Sequence, residues 1–108
     1  MKRAFNFDTF KGANDATSNQ TSAESNVLYI DNVSIQIGTT GSFNALATLQ
    51  IQYSNDGDNW VNGPAATTLT SNPQLIEFKD ITAAKVRFVF TSASSTGILS
   101  GWVTGKEK

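Results

Sequence analysis

The stretch Asn55-Asp56-Gly57-Asp58-Asn59 gathers side-chain oxygens around a glycine, which is the kind of donor set a calcium ion takes. It departs from the EF-hand pattern, because Gly63 stands where that pattern needs a glutamate six residues after its glycine. The same residues suit a hairpin turn, in which glycine accepts positive φ and the Asn and Asp side chains bond nearby backbone. The turn is the expectation here. Calcium at Asp56 and Asp58 is the alternative, and no cofactor is otherwise expected.

Catalytic chemistry has little to draw on. The chain has no histidine, so the commonest general base and metal ligand is missing, and no cysteine, so thiolate chemistry and disulfides are missing too. A Ser-His-Asp triad cannot be built. Paired carboxylates could in principle act as they do in glycosidases. However, Asp31, Asp56, Asp58, Glu77 and Asp80 fall at expected turns or on strand positions between core residues. A non-enzymatic protein is expected.

Aromatic side chains remain as tools for recognition. In Ile98-Leu99-Ser100-Gly101-Trp102-Val103 the alternation assigns Leu99 and Val103 to the core and turns Trp102 outward, where it could stack on a sugar or anchor a protein interface. A slip of one residue would bury it instead. Trp60 follows the turn and is expected to plug the core at the hairpin end. Tyr53 and Tyr29 are further candidate stacking platforms.

The elements that must position these residues are short strands. Val33, Ile35 and Ile37 alternate with Ser34 and Gln36, and the run ends in the turn cluster Gly38-Thr39-Thr40-Gly41. Ala47, Leu49, Ile51 and Tyr53 alternate with Thr48, Gln50 and Gln52. Ile76 and Phe78 point inward around Glu77, and Val86, Phe88 and Phe90 alternate with Arg87 and Val89. No apolar period of 3.6 residues persists over a helix length. The fold class is therefore all-β: an antiparallel β-sandwich, jelly-roll-like, with an N-terminal extended arm.

Two segments divide the chain, residues 1–26 as hook and polar arm and residues 27–108 as the sandwich. In the hook, Phe5 and Phe7 alternate with polar residues and Phe10 follows. Residues 11–26 contain no large apolar side chain, so alone they cannot offset their ordering entropy. Such an arm gains order by lying along its own domain or by being held by a neighbouring subunit. The hook, likewise, can add a strand to its own sheet or to a neighbour's. Phe5, Phe7, Phe10 and Trp102 are the candidate partner-binding residues.

Composition narrows the partners. With 108 residues, eight basic and nine acidic, the chain suits one domain with no electrostatic footprint for nucleic acid. Behind Lys2-Arg3 there is no run of the roughly 7–15 apolar residues a secretory leader needs, and no stretch nears the roughly 20 of a membrane span. A soluble product with no membrane partner is expected. Only 16% of residues are charged, which lowers charge repulsion between neighbouring copies.

The phrase Gln50-Ile51-Gln52-Tyr53-Ser54-Asn55-Asp56-Gly57-Asp58-Asn59-Trp60 resembles one that recurs in two groups. One is the discoidin-like (coagulation factor type C) jelly-roll domains, which bind glycans or lipid head groups. The other is a set of small β-sandwich, virion-associated proteins of tailed bacteriophages, including head-decoration proteins. To the second group, residues 34–43, 84–91 and 96–106 are also similar, the last ending in Thr104-Gly105-Lys106. The resemblance implies a structural protein of a phage virion, made in the host cytoplasm. It would decorate or cement the capsid as a homo-oligomer, with the major capsid protein or other virion proteins as partners. A glycan-binding module and a tail or neck component are the alternatives.

Overall fold

The structure, a computed structural model, describes residues 4–10, 15–28 and 30–107. Tyr29 and the first part of the polar arm, residues 11–14, lie outside the described residues. Two antiparallel sheets face each other. The first runs β1 (Ala4–Asp8), β10 (Leu99–Lys106), β4 (Asn32–Thr39) and β8 (Gln74–Phe78). The second is built on β9 (Lys85–Thr91) and β5 (Thr48–Ser54). The two-residue strands β2 (Gln20–Thr21) and β3 (Ser25–Asn26) pair with β9, while β6 (Val61–Asn62) and β7 (Thr67–Thr68) pair with β5. The all-β sandwich expected from the alternation is what forms.

Period-two patterning sets the interior. Val33, Ile35 and Ile37 of β4, Ile76 and Phe78 of β8, and Leu99 and Val103 of β10 turn inward from the first sheet. Leu49 and Ile51 of β5 and Val86, Phe88 and Phe90 of β9 meet them from the second. Phe78 and Phe88 make ring contact at 6.0 Å between centroids, one from each sheet. Each such side chain contributes about 1.5–3 kcal/mol by leaving water. The odd member out is β10, whose inward positions also include Gly101 and Gly105.

Those glycines explain the N-terminal hook. β1 pairs antiparallel with β10, Ala4 opposite Lys106 and Asp8 opposite Trp102. The Phe10 ring lies over Gly101, where a Cβ would come within 2.6 Å of it, and the Phe5 ring occupies the corresponding space over Gly105. Of the pairings open to the hook, the one that forms is with the chain's own sheet. Phe10 is completely buried among core residues. The candidate partner-binding ring at this position lies in the interior of the chain's own sandwich, where it fills the notch that Gly101 leaves. Phe5 and Phe7 stay half-buried, their rings 5.5 Å apart.

The described part of the polar arm, from residue 15, also lies along its own domain. Small side chains let its backbone approach β9 closely. Ser22 N–H donates to Phe88 O at 2.8 Å, and Phe88 N–H donates to Ser22 Oγ at 2.8 Å. Ala16 is fully buried, its N–H donating to Gly97 O at 3.0 Å and its carbonyl accepting from Ser92 Oγ at 2.6 Å. Backbone pairing thus supplies the order that the arm's composition cannot.

Gly101→Ala is expected to destabilise the protein by about 1–3 kcal/mol, because the added methyl displaces a ring that has no room to move. Urea unfolding of the variant beside wild type measures it. An unchanged midpoint would show that the Phe10 ring does not depend on the notch.

Candidate functional site

The hairpin phrase resolves into a self-satisfied turn. Ser54 Oγ accepts from Gly57 N–H at 2.9 Å and donates to Asp56 Oδ1 at 3.1 Å. Asp56 Oδ1 also accepts from the N–H groups of Asp58 and Asn59, both at 2.9 Å, while Asn59 Nδ2 donates to Oδ2 at 2.8 Å. Gly57 takes φ of 81°, a conformation glycine adopts without strain. Asn55 Oδ1 accepts from Ala84 N–H at 3.0 Å and so ties the turn to the start of β9. These donors hold the Asp56 carboxyl well below its ordinary 3.8, the Asn59 backbone N–H contributing most. The carboxylate is committed to organising a turn. Among the described residues no group of three or more acids, histidines or cysteines converges to hold a metal ion.

Beside the turn, Trp60 lies on the outer side of the second sheet. Arg87 places its guanidinium 4.4 Å from the centre of the indole and donates from Nε to Gln52 Oε1 at 2.8 Å. This corrects the expectation of a core plug. Val61 pairs with Tyr53, whose ring packs on the core, so Trp60, one residue earlier, has the opposite parity and faces out. Such a cation–π contact is worth about 0.5–1 kcal/mol at an exposed site. Tyr53 is half-buried against the core, and that burial raises its phenol pKa. Its exposed part lines a surface pocket with Ser54, Asn55, Asp56, Asn59, Val61 and Ala83.

The outer face of the first sheet is different. Here register aligns Asp8, Trp102, Gln36 and Leu75 in one row across four strands. The next row is Asn6, Thr104, Ser34 and Glu77. Trp102 is 51% exposed and Leu75 60%, so the outward phase expected for Trp102 is the one that forms. Asn6, Ser34, Gln36, Leu75, Trp102 and Thr104 line a shallow groove of ≈ 280 Å³. Thr104 Oγ1 donates to Asn6 Oδ1 at 3.1 Å. The lining holds no ionisable side chain. It combines one indole, one aliphatic side chain and a set of amides and hydroxyls, held on strands rather than loops. Leu75 is the member of this patch that sequence reasoning did not single out. Its alternation with Ile76 and Phe78 was the available signal.

Of the four sequence-predicted residues, then, Trp102 stands on an open face, Phe5 and Phe7 sit at the β1 margin, and Phe10 is interior. No helix among the described residues is long and apolar enough to cross a membrane.

Comparison with known proteins agrees with this architecture. Residues 25–103 match the F5/8 type C domain family. No curated protein sequence matches the chain. Among solved structures, the SPBc2 prophage-derived protein YomS superposes with a TM-score of 0.72 at 14% identity, over 99% of this chain and 96% of that one. FLHE gives 0.54 at 10% identity, over 99% and 97%. The Yersinia pseudotuberculosis-derived mitogen gives 0.52 at 12% identity, over 99% and 85%. At such identities the likeness speaks for the fold.

The Asp56 turn makes a pH prediction. A carboxyl with a lowered folded-state pKa contributes stability that is full above its unfolded value and is lost as pH falls toward the folded one. Wild type should therefore melt at progressively lower temperature as pH drops below 3.8, the ordinary Asp56 value. Asp56→Ala should melt lower at neutral pH and lose less on acidification. Parallel acid profiles for the two proteins would remove Asp56 as a contributor.

Proposed function

The chain belongs to the F5/8 type C, discoidin-like family, and on that premise we propose that it is a non-catalytic recognition module serving as a structural protein of a bacteriophage particle. The observation that carries the reading is the outward row on the first sheet. Trp102 and Leu75 present apolar area on a rigid face, among amides and hydroxyls with Asp8 and Glu77 at the ends of the two rows, which is the make-up of a protein-binding patch. The end-to-end likeness to a prophage-derived protein supports the particle setting. The partner is the major capsid protein or another virion protein, and the site of action is the virion. The sandwich acts as a stiff block. Modest contacts repeated over many copies attach it strongly through effective concentration.

The N-terminal segment is a poor place to test this by deletion, since residues 4–26 supply β1, β2 and β3 to the two sheets. Trp102→Ala is cleaner, because the indole lies outside the core. Co-sedimentation with phage particles should show binding weakened roughly thirtyfold, the loss of a buried-tryptophan contact of about 2 kcal/mol, with melting unchanged. Full occupancy by the variant would exclude this face.

A second reading is favoured by the same groove. An indole beside Asn6, Ser34, Gln36 and Thr104 offers a sugar both a stacking surface and partners for its hydroxyls. Titration with a glycan panel, followed by tryptophan fluorescence, separates the two. Saturable quenching that Trp102→Ala removes favours the glycan-binding module.

A further inference from the structure

The sheet edges are unequally defended. On the second sheet the flanking strands β2, β3, β6 and β7 are two residues long, too short to template another strand. On the first sheet, β8 follows Pro73, carries the exposed Glu77 and is succeeded by Lys79. All of these discourage strand addition. The other edge, β1, reads Ala4-Phe5-Asn6-Phe7-Asp8, with no proline and no charge before its last residue. Among the described residues β10 is the only strand it pairs with.

The hydrogen-bond phase of β1 fixes what this edge offers. Thr9 N–H donates to Gly101 O at 2.8 Å, one register step beyond the Asp8–Trp102 pair. In an antiparallel ladder, residues that bond the neighbour alternate with residues that point away. Phe5 and Phe7 therefore share Thr9's phase and bond β10. The backbone N–H and C=O of Ala4, Asn6 and Asp8 point to the open side.

We propose that β1 pairs antiparallel with β1 of a second copy, about a twofold axis through Asn6, joining two four-stranded sheets into one continuous sheet. In this register Asn6 faces Asn6 and Ala4 faces Asp8, so the outward groups bond each other. Phe5 of each copy faces Phe7 of the other in the non-hydrogen-bonded pairs, where side chains come closest. The two half-buried rings of each copy, already 5.5 Å apart, then meet those of the other and close over the core margin. Registers shifted by two residues leave part of the strand unpaired, and shifts by one place Phe opposite polar side chains. The interface is isologous and closes as a dimer. It leaves Trp102 and Leu75 on the outer face and brings the two grooves together at Asn6.

Sedimentation equilibrium tests the pairing. Wild type should reach a dimer of the 11.6 kDa chain, and Asn6→Pro should raise the dissociation constant by at least about tenfold. Proline removes the outward N–H while leaving the β10 ladder intact. Because proline also constrains φ, Asn6→Cys gives a second readout in a chain with no cysteine of its own. Facing Cα atoms of a hydrogen-bonded pair are about 5.5 Å apart, within disulfide reach, so mild oxidation should link the copies at residue 6. Thr91→Cys, exposed on the second sheet, should not link. A wild-type protein that stays monomeric up to about 1 mM, the weak end of specific association, overturns the proposal. A dimer that survives Asn6→Pro with Asn6→Cys unlinked overturns it equally.

Discussion

Gly101 and Gly105 leave the inner face of β10 bare at two places, and the rings of Phe10 and Phe5 lie there. The pairing of β1 with β10, the burial of Phe10 and the docking of the arm all follow from that absence of side chains. With Phe10 seated, the chain turns, and from residue 15 it crosses to the second sheet to lie along β9. A methyl at Gly101 would push the ring out and loosen the link between the two sheets. Interiors packed to crystal density do not absorb such a change locally.

How far the sequence discloses this depends on the range of the cause. Val33-Ser34-Ile35-Gln36-Ile37 and Val86-Arg87-Phe88-Val89-Phe90 announce their buried face, because alternation is local and period two is all a half-buried strand needs. The outward turn of Trp102 is legible for the same reason. Trp60 is not, since its parity is fixed by which β5 residue lies across the hairpin. Phe10 is not, since its pocket is made by a glycine far along the chain. The arm's strands are two residues each, and nothing in Gln20-Thr21 or Ser25-Asn26 marks them as strand. The outward turn of Leu75 is legible from its alternation with Ile76 and Phe78, but its place in the same row as Trp102 emerges only from the register of β8, β4 and β10.

The Ser-Asn-Asp-Gly phrase has a structural meaning of its own. Its serine, aspartate and following asparagine complete one another's hydrogen bonds, and its second residue pins the loop to β9. Such a phrase shapes a hairpin, and it says little about what is bound. In the proposed reading, recognition falls instead to the sheet face opposite the core, where side chains are free to differ without cost to packing.

Ala4 opposite Lys106 means that the first and last strands finish side by side at one corner of the sandwich. The sandwich is therefore entered at Ala4 and left at Lys106 at neighbouring positions, four register steps along β10 from Trp102.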